Sequence, residues 1–305
     1  MFRAATPTQM AFRDRLVDAG ILVPSSVAGV WGRGRAFAEV FDGLGRFVAE
    51  AGRTDAPEVF RFPPVISRET FVRSDYLRSF PDLIGSIHGF DGGNAEHASL
   101  LRDLAAGADW TSHLRPSEVM LLPAACYPIY PMIGGTLPEE GRLFDVLGSC
   151  YRNEPSDDPA RMQTFHQQEY VRVGSPDAAL AFRDDWLERS QQLMDDLRLR
   201  VVVEVANDPF FGRAGSMLAA NQREHALKFE VLAPVSSEEQ LTAIVSCNCH
   251  QDHLTVPFGI TTPGGEHAHS ACVGFGLERI VLGLFAEHGF DPERWPFDVR
   301  KRLWQ

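Results

Sequence analysis

Three stretches hold most of the side chains able to do chemistry. In CVGFGLERIVLGL (272–284), glycines 274 and 276 precede an apolar helical run, with Glu278 and Arg279 at the junction. Glycines so spaced suit a tight turn into a helix, and a guanidinium in a first helical turn opposes the helix dipole unless an anion meets it. A phosphate is such an anion; a solvated Glu–Arg surface pair is the plainer alternative. In CYRNEPSDDPARMQTFHQQEYVRVG (150–174), residues 150–153 and 165–173 read as the strands of a long hairpin joined by a polar loop bearing Arg161. Arg152 and Glu154, two apart on a strand, would project from one face. The arginine then suits a phosphate and the carboxylate a base edge or an amine, or both are simply solvated. CNCHQDH (247–253) sets Cys247 and Cys249 on one strand face with His250 and His253 following, either a metal cluster or packed thiols beside solvated imidazoles.

Elements must carry these groups. Helical periodicity runs over about 9–20, 34–51 and 178–199, the last with Leu180, Leu187, Met194 and Leu197 as a stripe beside Trp186 and Leu193. Strand-like runs follow at VVVEV (201–205), FEVL (229–232) and LTAIVSC (241–247). The uneven blocks lack a βαβ rhythm, so the expected class is α+β, an antiparallel sheet flanked by helices. In FPPVISRETF (62–71) two prolines stop a strand and Ser67-x-x-Thr70 starts a helix.

The 305 residues are 44% hydrophobic, enough for a substantial core. A formal charge of −12 lacks the basic excess of a protein that binds along nucleic acid, although Arg300, Lys301 and Arg302 form a local basic patch. Five scattered cysteines do not make a disulfide framework and fit a reducing compartment. The N-terminus has no apolar core of signal-peptide length and no segment approaches a membrane span, so a cytoplasmic protein is expected.

Taken in order, the segments resemble the class II aminoacyl-tRNA synthetases. YRNE, the loop and FHQQE are similar to motif 2, GFGLER to motif 3 and, more loosely, FPPVISRE to motif 1, the dimer element. LRPSEVMLLP (114–123) is similar to the amino-acid loop of the seryl branch, and FEVL with IVSCNC to its later strands. The resemblance implies that Arg152 holds the α-phosphate and the substrate carboxylate, Glu154 faces the adenine side, Phe165 stacks on adenine and Arg279 grips the γ-phosphate of ATP. It places Glu118 on the amino-acid loop. Where the family has a magnesium-binding glutamate this chain has Ala243, leaving Glu230 as a candidate Mg2+ ligand. Cys126, Glu169 and Cys272 match the zinc ligands of the seryl-tRNA synthetases of methanogenic archaea, implying a Zn2+ that takes the amino acid's amine. Residues 1–55 read as a short helical extension without a tRNA-binding arm, within a single catalytic domain spanning 1–305. The chain thus resembles the amino acid:[carrier protein] ligases, which adenylate a small amino acid and pass it to a carrier's phosphopantetheine thiol. The likeness implies a homodimer with glycine as first choice of substrate and alanine as second. The segment 212–229, with Arg213, Arg223 and His225, is a candidate carrier-docking helix. A tRNA-charging enzyme and a non-catalytic amino-acid-binding paralogue are the alternatives.

Overall fold

The computed structural model describes residues 4–305, and in the helix at 212–224 all side chains except those of Arg213, Ala214, Leu218 and Asn221. Its centre is a seven-stranded sheet: β1 (Glu58–Arg61), β2 (Arg142–Tyr151), β3 (Thr164–Gly174), β4 (Val202–Val205), β5 (Lys228–Ala233), β6 (Thr242–Gln251) and β7 (His269–Gly276). Their order across the sheet is β4-β5-β6-β7-β3-β2-β1, and every pairing is antiparallel except β1 with β2. The α+β expectation holds.

The main helices are α1 (Pro7–Asp18), α2 (Arg35–Ala51), α3 (Pro176–Asp196), α4 (Gly212–Glu224), α5 (Leu277–His288) and α6 (Phe297–Trp304). α1 begins in a capping box, Thr6 accepting from the Gln9 N–H and Gln9 accepting from the Thr6 N–H. α3 begins at Ser175, whose hydroxyl accepts from the Ala178 N–H, with Pro176 in the first turn. Its buried face runs Ala179, Arg183, Trp186, Ser190 and Met194. The expected stripe is therefore partly wrong, because Leu180 lies on the flank, 43% exposed.

Helices α2, α3 and α5 cover one face of the sheet, where Trp186, Phe275 and Phe285 form an aromatic core with Tyr170 stacked on Trp186 at 4.4 Å. The opposite face carries a second core around Leu122, Ile129 and Tyr130, and it leaves a cavity open toward β5, β6 and β7. A three-stranded sheet, Val65–Ser67, Ser86–Phe90 and Leu114–Leu121, extends from that side. There β1 ends before Pro63 and Pro64, and Ser67 caps the helix Arg68–Arg73, as the sequence suggests. Among the described residues no helix is long and apolar enough to cross a membrane.

Candidate active site

The cavity holds about 440 Å³. Strand alternation makes its floor: Ser246, Gly274 and Glu169 lie abreast on β6, β7 and β3, and Gln167 lies beside Gly276. Gly276 ends β7 and is the N-cap of α5, so the expected tight turn into the helix is present there, while Gly274 lies inside the strand and does no turning; neither has a positive φ. A Cβ at Gly274 would sit 3.4 Å from Glu169 Cγ, in ordinary contact. What glycine provides is an absent side chain, which leaves the floor low.

One end of the cavity is cationic. Arg279, in the first turn of α5, donates from Nε to the Ala160 carbonyl (2.9 Å) and from Nη1 to the Ala243 carbonyl (3.0 Å). Burial pushes its pKa down, and among the described residues it has no carboxylate partner. Carbonyls fix the guanidinium without cancelling its charge, which prepares it for an anion. Arg152 is held by Nε to the Pro123 carbonyl at 3.2 Å, and its guanidinium lies 5.4 Å from the Phe165 ring centroid. β2 stops at Tyr151, so Arg152 and Glu154 stand in the loop after the strand, not on a shared strand face as expected. Both still line the cavity. Glu154 is engaged by Arg161 at 2.7 Å.

The other end is sulfur and carboxylate. Cys272 lies four residues before Gly276, which at the strand rise is about 13 Å along the floor. Cys126, Glu169 and Cys272 are all at least 96% buried and all line the cavity. Glu169 accepts from the Ala125 N–H at 2.9 Å; burial first, then the neighbouring Cys272, pushes its carboxyl up to about 8. Cys126 donates to Cys272, which holds the Cys126 thiol well above and the Cys272 thiol well below the usual range. His250 stands with Nε2 3.7 Å from Cys272 Sγ. Burial disfavours its charged ring, but Cys272 outweighs this and raises its pKa. Two sulfurs and a carboxylate in a dry site are the donor chemistry a thiophilic cation takes. They are not a closed cage, because among the described residues no three His, Cys, Asp or Glu side chains stand together as a metal-holding group. Glu169 is tied to the Ala125 N–H and to the Cys126 thiol, and the two thiols to each other.

Glu230 lines the cavity but is paired with Lys228 at 3.0 Å, and Lys228 also binds Asp208 at 2.5 Å. Ala243 offers no donor beyond its backbone. Glu118 does not reach the cavity: its side chain is 90% exposed on Leu114–Leu121 and faces Arg68 at 3.8 Å. CNCHQDH divides by alternation, Cys247 and Cys249 facing the helix side as packed thiols and His250 facing the cavity. Arg223 donates to the Asn207 side chain. The Arg213 side chain lies outside the described residues.

Glu278, read from the sequence only as half of a solvated pair with Arg279, is buried and paired elsewhere. It is 1% exposed and accepts from the His166 N–H at 2.7 Å, from His166 Nδ1 at 2.7 Å and from Arg33 at 2.6 Å. Glu278 thus ties α5 to β3 and to the N-terminal segment. Its companion Arg279 in the same dipeptide drew attention because an anion ligand can be guessed from charge, whereas a buried carboxylate's partners cannot.

No family model matches the chain. It is 42% identical over 301 residues to amino acid–[acyl-carrier-protein] ligase 2 of Bradyrhizobium diazoefficiens, covering 98% of this chain and 90% of the relative. Ligase 1 of the same organism is 42% identical over 277 residues, 90% of this chain and 85% of the relative. A type-2 serine–tRNA ligase of Methanopyrus kandleri is 29% identical over 264 residues, 79% of this chain but half of the relative. Among solved structures, M. kandleri seryl-tRNA synthetase bound to Aquifex aeolicus tRNASec superposes with a TM-score of 0.81 at 25% identity, over 99% of this chain and 60% of that one. Seryl-tRNA synthetase of Pyrococcus horikoshii complexed with ATP superposes at 0.68 and 13% identity, over 91% of this chain and 58% of that one. The fold is that of the class II synthetases, and the chain spans about three-fifths of these seryl enzymes. With 42% identity sustained across nearly its whole length, the chain belongs to the amino acid–[acyl-carrier-protein] ligases.

Proposed function

We propose that the chain activates a small amino acid, glycine in first place and alanine in second, as its adenylate and transfers it to the phosphopantetheine thiol of a carrier protein. The observation that carries this reading is one cavity with two chemically opposite ends, guanidinium groups without carboxylate partners among the described residues at one and a buried thiol–carboxylate cluster at the other. Arg279 takes the terminal phosphate of ATP, Phe165 the adenine and Glu154 the adenine side. Arg152 bridges the α-phosphate and the amino-acid carboxylate, bringing two anions into reacting distance. Such orientation and charge stabilisation account for several kcal/mol of barrier; one lost clamp costs about 3 kcal/mol.

Cys126, Glu169 and Cys272 would hold Zn2+, which when bound supplies a Lewis-acid site favouring an unprotonated amine. Glu230 would serve Mg2+ with the nucleotide, released in part from Lys228. The low floor at Gly274 keeps the space beside Glu169 open to a small substrate. The carrier thiol attacks the adenylate carbonyl and AMP leaves, so no protein nucleophile is required. Arg213, Arg223 and His225 on and after α4 would meet an acidic carrier, and the 62–71 segment would form a homodimer contact.

The test is amino-acid-dependent pyrophosphate exchange across all twenty amino acids, followed by transfer of labelled product to a carrier protein with and without phosphopantetheine, and to total tRNA. Exchange with glycine and labelling of the phosphopantetheinylated carrier alone are expected. Acid-precipitable charged tRNA would overturn the acceptor, and no exchange with any amino acid would overturn the enzyme reading.

A further inference from the structure

Arg279 needs its guanidinium fixed in place, and one of the carbonyls fixing it belongs to Ala160, in the loop at 152–163. That loop is not left to itself. Its hub is Asp158, 8% exposed and without a cationic partner among the described residues. Asp158 Oδ1 accepts from the Ala160 N–H at 3.0 Å and from the Ser236 hydroxyl at 2.9 Å, and Oδ2 accepts from Gln9 Nε2 at 2.8 Å. The Asp158 N–H donates to Ser156 Oγ at 3.1 Å, and the Arg161 N–H to the Asp158 carbonyl at 3.0 Å. The N-terminal segment secures the loop's far end too: the Gln163 N–H donates to the Gly29 carbonyl (2.8 Å) and Gln163 Nε2 to the Ala28 carbonyl (2.8 Å).

We infer that Asp158 is a positioning residue for Arg279, acting through Ala160, and that Gln9 of α1 and Ser236 hold the aspartate in the orientation this requires. The chain of contacts is Gln9 to Asp158 to Ala160 to Arg279. Asp158 fixes both peptides that flank Ala160: its carboxylate takes the Ala160 N–H, and its backbone carbonyl takes the Arg161 N–H, which shares a peptide with the Ala160 carbonyl and so polarises that carbonyl into a better acceptor for the guanidinium. The N-terminal segment therefore presets the loop before any ligand arrives. This inference rests on the reading that Arg279 grips the terminal phosphate.

The experiment compares ATP and AMP binding by calorimetry in wild type, Asp158→Ala, Gln9→Ala and Arg279→Ala. AMP lacks the phosphates Arg279 would contact and reports loop integrity alone. Asp158→Ala is expected to weaken ATP about tenfold, the worth of a hydrogen bond to a charged group, with AMP affinity within about twofold. Gln9→Ala is expected to give a smaller loss of the same kind, and it keeps the test open if Asp158→Ala does not fold. In pyrophosphate exchange the ATP KM should rise while the amino-acid KM holds. Equal weakening of ATP and AMP, or no weakening of either, in Asp158→Ala, or in Gln9→Ala where Asp158→Ala does not fold, overturns the inference while Arg279→Ala still discriminates between the nucleotides. If Arg279→Ala also fails to discriminate, the phosphate-gripping role of Arg279 falls and the inference with it.

Discussion

Replacing Gly274 with alanine should make the protein more stable and less active. Gly274 lies inside β7 with an extended backbone and no positive φ, so alanine adopts the conformation without strain. The added Cβ meets Glu169 Cγ at 3.4 Å, Glu169 Cδ at 3.7 Å and Gln167 Nε2 at 3.9 Å, contacts the neighbours accept without moving. Stability should then rise by about 0.5–1 kcal/mol, because alanine loses less chain entropy on folding. In a chain of this size that is a gain of roughly 1–3 °C in Tm. The same methyl stands on the cavity floor beside Glu169, where the substrate amine is to be received. Displacing one charged hydrogen bond there costs about 1.5 kcal/mol or more, so kcat/KM for the amino acid should fall at least tenfold. The ATP KM should barely change, since Arg279 and Phe165 lie toward the other end. Differential scanning calorimetry and pyrophosphate exchange with each substrate varied measure both halves. A lower Tm would mean the strand does not tolerate the methyl; unchanged amino-acid kinetics would mean the substrate does not pass over Gly274, and either result refutes the reasoning.

Gly52→Ala should be destabilising by about 3 kcal/mol, an overpacking cost, because its Cβ would lie 2.2 Å from the Tyr170 ring. That ring cannot retreat, being held by its hydroxyl to the Val48 carbonyl at 2.8 Å and stacked on Trp186; urea unfolding measures the loss. Glu278→Gln should cost about 2–3 kcal/mol, below the ~3–5 kcal/mol of a fully buried broken pair, since Arg33 keeps 24% of its side chain exposed and screened. Its activity should fall through ATP binding, which comparison of substrate KM values reads out. At Asp208 burial opposes ionisation, but Lys228 and Gln222 outweigh it and lower the pKa from 3.8. The group therefore stabilises the folded state above that value, and the contribution is lost as pH falls through the lower folded value. Asp208→Asn should accordingly flatten the decline in stability below about pH 4, measured as Tm against pH.

The loop, strand and helix that carry the chemistry were legible in the sequence because their signals are local. The strand runs at 201–205, 229–232 and 241–247, the Ser67 cap and the glycine-to-helix junction each rest on a few adjacent residues, and these appear where expected. What escaped needed three dimensions. Gly274 looked like a turn residue because spacing reveals glycine but not whether the turn or an absent side chain matters. Arg152 and Glu154 were placed on a strand that ends at Tyr151, before either of them, since hydrogen-bond pairing fixes strand ends. Glu118 followed its segment's resemblance, yet the strand turns it to solvent beside Arg68. Leu180 fitted the helical period but lies at the edge of a face completed by Arg183 and Ser190, polar residues that periodicity scores against burial. Glu278 and Asp158 act through Arg33 and Gln9, partners far away along the chain that no local window contains.

The central claim is that one cavity holds an aminoacyl-adenylate's nucleotide end by guanidinium and its nitrogen end by the thiol–carboxylate cluster. A crystal structure with a non-hydrolysable glycyl-adenylate analogue and zinc tests it most directly. The account predicts adenine on Phe165, the linking group against Arg152, and the glycyl nitrogen beside an anomalous-scattering zinc held by Cys126, Glu169 and Cys272. A glycyl nitrogen placed away from those three residues, or an analogue bound outside this cavity, contradicts it.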